Sequence, residues 1–459
     1  MPRPKSVGSS SPPASPVTVS GSLPRSAGMS PGWPEARARP RPSRRSGWTV
    51  SPAAPIRHRM PRSDDDDGRA ERVSRGSMMT QGTGMDAGAR EHIRRYYDGT
   101  LRPDEMVAAM SQEAGWFPAR RVRRGATVSP LPNAGRELPP LEIRDHDRTF
   151  DLYDYLSVNR VTGLMVLQDG AVVEESYSLG IGPQTQWKSC SLAKSVTATL
   201  YGIALHEGAI ENLDDPVTRY VPLGGLYAGV SVRQLLRMAT GVRWNEDYTD
   251  PASDRRLLMD TQMNWEPGGI VRHMESLPAE TPPGGSWKYN TGDSYLAGLV
   301  LERATGSNLA DYLSTKLWSQ IGMEADASWW CESPDGMGIA GSGLHATLRD
   351  YARFGQFVLD NGRVGAQELL PQGWREEAGS PYRIGETLIP YGYMWWVPVL
   401  DDPALKGTFQ AEGIYGQFIH INPSTRLVVV VLSARSKPGY RRRLEINDDA
   451  FFAALANSL

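Results

Sequence analysis

Val161-Thr162-Gly163-Leu164-Met165-Val166-Leu167-Gln168-Asp169-Gly170-Ala171-Val172-Val173-Glu174-Glu175-Ser176-Tyr177 reads as a β-hairpin. Two β-rich runs flank Asp169-Gly170, the dipeptide that supplies the positive φ angles of a two-residue turn. An antiparallel sheet therefore begins here. Residues 191–207 follow with helical periodicity, offering Leu192, Val196, Leu200, Ile203 and Leu205 for burial and ending at Gly208. From about 210 to 360 the chain reads mainly as helices between Gly/Pro loops, at 231–238, 295–304, 308–321 and 348–359. Residues 391–399, 409–421 and 426–434 are β-branched and aromatic, so the sheet resumes there, and 446–455 has the period of a covering helix. The expected fold is α/β of the α+β kind: an antiparallel sheet flanked by terminal helices, with an inserted, mostly helical subdomain.

Working outward, the 459 residues are 40% hydrophobic and 22% charged with a net charge of −2, enough to bury a core and unlike a nucleic-acid binder. The N-terminal stretch differs. Its first 63 residues hold 13 prolines and 11 Lys or Arg against one acid, Glu35. Such a segment has too few large apolar side chains to offset its ordering entropy, so residues 1–85 are expected to be a disordered tail before a catalytic domain at 86–459. A tail that touches membranes or nucleic acid is the sharper alternative, and Met78, Met79 and Met85 also leave room for a later start. No unbroken apolar stretch of signal-peptide length occurs, and the longest apolar run, 427–432, is far below the roughly 20 residues of a membrane-spanning helix. A cytoplasmic protein with no membrane partner is expected. Only Cys190 and Cys331 are present, which excludes a disulfide framework.

Several motifs fail on inspection. The Gly-x-Ser-x-Gly match at 28–32 has no strand before it, and no phosphate-binding Gly-x-x-x-x-Gly-Lys-Ser/Thr occurs. His206-Glu207 begins like a zinc-protease helix, but Ile210 stands where the second ligand belongs. Gly336, Gly338 and Gly341 have dinucleotide-loop spacing without a preceding strand, so they read as a plain Gly-rich loop. His146, His206, His273, His345 and His420 show no metal spacing and read as structural. No metal and no cofactor are expected.

Ser191-Leu192-Ala193-Lys194 survives. Three-residue spacing on a helix puts Ser191 Oγ and Lys194 Nζ on one face, where an uncharged amine can take the hydroxyl proton. Ser191 at the helix start also lets the helix dipole favour developing negative charge. Taken alone, the pair reads more readily as a capping serine and a surface lysine. Four further stretches change its weight: Leu213-Asp214-Asp215-Pro216-Val217, Trp287-Lys288-Tyr289-Asn290-Thr291-Gly292, the run from Gly341 to Gly355, and Gly413-Ile414-Tyr415-Gly416-Gln417. With Leu235-Leu236-Arg237-Met238-Ala239-Thr240-Gly241, they resemble the serine β-lactamase-like superfamily on its class C and esterase side, from about 155 to 458. Within it, Asn245-Glu246-Asp247-Tyr248 onward and the Gly-Ile-Tyr-Gly-Gln segment are similar to the aminohexanoate-dimer hydrolases, amidases with carboxylesterase activity.

The resemblance implies Ser191 as nucleophile, Lys194 as base and Tyr289 as its partner, with the Lys194 ammonium favouring the Tyr289 phenolate so that one proton is shared. It implies an oxyanion hole from the backbone N–H groups of Ser191 and Ile414. Substrate contacts are expected from Tyr248, Trp265, Thr291, Tyr415 and Gly416. Tyr248 and Trp265 read equally as a closing lid or as loop anchors, and Cys190 as a small buried side chain. Two departures matter: Thr291 stands where Tyr-x-Asn is usual, and Tyr415 where β-lactamases carry the lysine of Lys-Thr-Gly. A cation for a β-lactam carboxylate is thereby missing. The expected activity is hydrolysis of a small-molecule ester or linear amide. A weak β-lactamase or D-amino-acid peptidase, and a binding protein that is acylated without turnover, are the alternatives; a homodimer is left open.

Overall fold

The computed structural model describes residues 84–112, 115–438 and 444–459. The expected tail lies outside the described residues except for Gly84 and Met85. Met85 is already buried, and its amide donates to Met263 O at 2.9 Å.

Asp169 and Gly170 both take positive φ, 51° and 79°, and the strands Val161–Gln168 and Ala171–Tyr177 pair antiparallel around them. Three C-terminal strands complete a five-stranded antiparallel sheet in the order Phe409–Gly413, Gln417–Asn422, Leu427–Ser433, Val161–Gln168, Ala171–Tyr177. The central strand Leu427–Ser433 is buried throughout. Its unbroken apolar sequence has a structural cause, since both faces of the sheet are covered. Val428, Val430 and Leu432 join the core that holds Tyr351 and Phe354 of helix Leu348–Leu359. Leu427, Val429 and Val431 instead join Phe451, Phe452 and Leu455 of the C-terminal helix Asp448–Ser458. Gly355 lets the first of these helices lie against the sheet, because a Cβ there would stand 2.6 Å from Val428 Cγ1.

Helix Leu192–His206 is buried on every side as far as Ala204, the mark of a central helix rather than a surface one. Lys194 is thereby carried into the interior. Helix Thr291–Thr305 is buried over its first eleven residues and brings Thr291 against Lys194.

Four expectations need correction. The block 210–360 is not all helical: Ala327–Trp330 and Leu344–Ala346 join Ala119–Val122 and Trp187–Lys188 in a second antiparallel sheet. Strands of two to four residues are too short to leave a readable period. Residues 308–321 form a short helix, Leu309–Leu313, that widens into a π turn at Ser314–Trp318. Residues 391–399 are not a strand. Met394 takes φ 55°, and Tyr391 and Trp396 make only isolated bridges, so their aromatic rings form a wall rather than a pleated edge. Residues 409–421 likewise split into two strands around Ile414-Tyr415-Gly416, with Gly416 at φ 88°. Among the described residues no helix is long and apolar enough to cross a membrane.

Candidate active site

The short strand Trp187–Lys188 leads into Ser189 and Cys190, and Cys190 adopts φ 48° before the chain enters helix Leu192–His206. A left-handed non-glycine residue costs of order 1–3 kcal/mol and persists only where its surroundings impose it. Here it turns the chain so that Ser191 caps the helix with its hydroxyl toward Lys194. Lys194 Nζ lies 2.9 Å from Ser191 Oγ, 3.0 Å from Gly341 O and 3.3 Å from Thr291 Oγ1. Burial pushes the Lys194 pKa down from 10.5 to about 7; the Glu246 carboxylate opposes the shift and the Arg255 guanidinium adds to it. The amine is therefore substantially uncharged near neutral pH.

Tyr289 is the third member. Its ring centroid lies 5.1 Å from Lys194 Nζ, and its ring stacks on Trp396 at 5.2 Å with Tyr391 edge-on at 6.1 Å. Burial pushes the phenol pKa well above 10, and a hydrogen bond with Ser191 only partly opposes this. The expected phenolate is thus corrected. Desolvation disfavours both charged forms together, so near neutral pH a neutral phenol stands beside an amine that is uncharged in about half of the molecules.

Ser191 and Ile414 line one pocket, the latter from the turn between Phe409–Gly413 and Gln417–Asn422. Among the described residues no other group accepts from either backbone N–H. Tyr248 lines the same pocket, its ring stacked 5.3 Å from that of Tyr97. The space left for water is about 30 Å³, room for about two molecules.

The other expected contacts fall elsewhere. Thr291 is buried beneath the pocket, where its hydroxyl donates to Glu246 Oε1 at 2.5 Å and accepts from Lys194. Trp265 lines a separate cavity with Arg303, Glu332 and Met337, because φ 52° at Trp265 turns the chain away after helix Asp254–Met263. Tyr415 is fully buried and donates to Tyr96 O at 2.6 Å, fastening the Ile414 turn to helix Ala87–Asp98 instead of meeting substrate. Gly416 allows the close approach of the Arg435 guanidinium, which any Cβ would block. Its part in the site is conformational. Cys190 is buried and unbridged, with Tyr96 Oη at 3.3 Å. His345 and His420 are core residues whose pKa burial pushes down to about 3.

Three contributors escaped the sequence reading. Glu246 is buried and accepts from Trp244 Nε1, Thr291 N and Thr291 Oγ1 at 2.5, 3.0 and 2.5 Å. It lies within a quoted stretch, but nothing marks one acid among several as buried. Gly341, at the start of a motif run but given no role, supplies a carbonyl to Lys194. Arg255 belongs to no motif, yet it lines the Ser191 pocket and is 2% exposed.

The Beta-lactamase family model matches residues 159–451. The chain is 30% identical over 360 residues to the 6-aminohexanoate-dimer hydrolase of Paenarthrobacter ureafaciens, covering 75% of this chain and 85% of that one. It is 24% identical over 303 residues to penicillin-binding protein 4* of Bacillus subtilis, covering 54% and 62%. Among solved structures, a Bacillus anthracis protein provisionally named a 6-aminohexanoate-dimer hydrolase superposes with a TM-score of 0.65 at 24% identity, covering 77% of this chain and 92% of that one, a likeness of fold.

Proposed function

The chain belongs to the Beta-lactamase family and is a hydrolase of the serine β-lactamase-like superfamily; from that premise we propose that it cleaves linear amides and short acyl esters through an acyl-enzyme on Ser191. One observation carries this reading: a buried lysine with pKa about 7 within 2.9 Å of a serine hydroxyl at a helix start. The relative that hydrolyses the 6-aminohexanoate dimer favours the amide side.

The neutral Lys194 amine takes the Ser191 proton as Oγ attacks the substrate carbonyl, giving an ammonium and a tetrahedral oxyanion. The Ser191 and Ile414 N–H groups receive that oxyanion; one such donor is worth roughly 3 kcal/mol of barrier. Tyr289 gives its phenol proton to the departing nitrogen or oxygen, and Lys194 returns the proton to Tyr289. Water then attacks the acyl group while Lys194 takes its proton, which passes back to Ser191 Oγ as the acid leaves. Tyr248 is the wall residue proposed to close over the leaving atom. The β-lactam alternative is disfavoured by Tyr415, whose phenol is turned to Tyr96 O and offers no cation. The two buried free thiols accord with the proposed cytoplasmic setting.

Mass spectrometry after a p-nitrophenyl ester or a phosphonate tests the mechanism. The adduct is expected on Ser191, absent in Ser191→Ala, and followed by steady turnover after the burst. An adduct elsewhere removes the mechanism, and a burst that stops at one equivalent favours an acyl-binding protein.

A further inference from the structure

We propose that Arg255 is a carboxylate reader, so that the favoured substrate carries an anionic carboxylate as well as the scissile acyl bond. The proposal deepens the hydrolase reading and rests on it. Arg255 projects from helix Asp254–Met263 into the pocket that holds Ser191. It is 2% exposed and sandwiched by aromatic rings, with its guanidinium carbon 4.8 Å from the Tyr97 centroid and 5.3 Å from that of Tyr248. One terminal nitrogen donates to the Tyr97 hydroxyl, while Nε and the other terminal nitrogen are buried with no partner among the described residues. Leaving charged donors unpaired in a dry site is costly, and an arriving carboxylate would accept from the unpartnered terminal nitrogen. The lining also contains Lys188, whose ammonium lies over the Tyr96 and Trp330 rings, and no Asp or Glu among the described residues. Glu246, the nearby acid, spends its oxygens on Trp244 and Thr291.

The cation lost at Tyr415 is thus answered in charge on a different wall of the pocket. A purely structural rival exists: Arg255 could serve only as a counter-charge that lowers the Lys194 pKa. That role would affect every substrate alike, whereas a reader affects only those with the anion.

The experiment compares kcat/KM within two matched pairs. p-Nitrophenyl hydrogen adipate against p-nitrophenyl hexanoate places the carboxylate on the acyl side. 4-Acetoxybenzoate against its methyl ester places it on the leaving side. In the unaltered protein at least one pair should favour the anion roughly 10- to 100-fold, the range of a charged hydrogen bond. Arg255→Gln should bring that ratio near one whatever loss both members share, and Arg255→Lys should retain part of it. Ratios near one in both pairs of the unaltered protein overturn the proposal without any variant, as does a ratio that survives Arg255→Gln. Failure of all four esters to acylate Ser191 would instead remove the hydrolase reading, and this proposal with it.

Discussion

The pH dependence of acylation is the sharpest consequence of burying Lys194. An amine of pKa 10.5 would be uncharged in only about one molecule in 3,000 at pH 7, whereas at pKa about 7 half of the molecules carry a usable base. Burial therefore raises the active fraction by about three orders of magnitude, equivalent to roughly 4 kcal/mol of barrier. Acylation by a neutral ester such as p-nitrophenyl hexanoate should rise about tenfold per pH unit below 6, bend near 7 and level off by pH 8 to 9. Glu246→Gln supplies the internal control. The Glu246 carboxylate holds the Lys194 pKa up, so its removal should move the bend to lower pH. At pH 6 the variant would then acylate faster than the parent, relative to each plateau. Asp293 also needs attention, because burial pushes its pKa up to about 7, but its carboxylate faces Tyr227 and Thr240. Asp293→Asn should leave the bend in place. Stopped-flow release of p-nitrophenol from pH 5 to 9.5 reads all three profiles. A flat profile, or a bend that moves up in Glu246→Gln, would refute the assignment of Lys194 as base.

Lys194→Met should abolish turnover yet raise the melting temperature at pH 6. The folded pKa lies below the unfolded one, so charging the buried amine costs about 5 kcal/mol below pH 7, and this is recovered as pH rises toward 10.5; a thermal gain no larger at pH 6 than at pH 9.5 would contradict that sign. Tyr248→Phe should cost about tenfold on a linear amide, or about 1.4 kcal/mol, and little on a p-nitrophenyl ester, whose leaving group needs less protonation; equal losses would leave Tyr248 as a loop anchor. A chain beginning at Gly84 should keep its melting temperature, whereas one beginning at Asp86 should lose a few degrees, because Met85 N donates to Met263 O and Arg90 Nε to Met85 O. Thermal unfolding of the two truncations decides this.

Legibility followed locality. The hairpin at Asp169-Gly170 and the Ser191/Lys194 pair are short-range patterns, and both appear as read. The aromatic run at 391–399 carries strong β propensity, yet packing against Tyr289 outweighs it. Trp265 and Tyr415 share one cause of error. Nearness in sequence to the motifs suggested nearness in space, but positive φ at Trp265 and the bond from Tyr415 to Tyr96 turn each away. Arg255 could not be read at all, since its burial depends on Tyr97 in a helix 158 residues earlier.

The two departures from the β-lactamase pattern make physical sense together. Asn at position 291 would divide its donor and acceptor between separate atoms, whereas the Thr291 hydroxyl accepts from Lys194 and donates to Glu246 through one oxygen. The amine is thereby linked to a buried carboxylate through a single neutral atom. In the proposed acylation step, that carboxylate would steady the ammonium through the intervening hydroxyl. Tyr415 in turn gives up a cation but ties the Ile414 turn to helix Ala87–Asp98, whose Tyr97 accepts from Arg255. The proposed oxyanion donor and the proposed anion reader therefore share one support. A movement of helix Ala87–Asp98 would loosen both at once, so its packing is as much a part of the site as the serine.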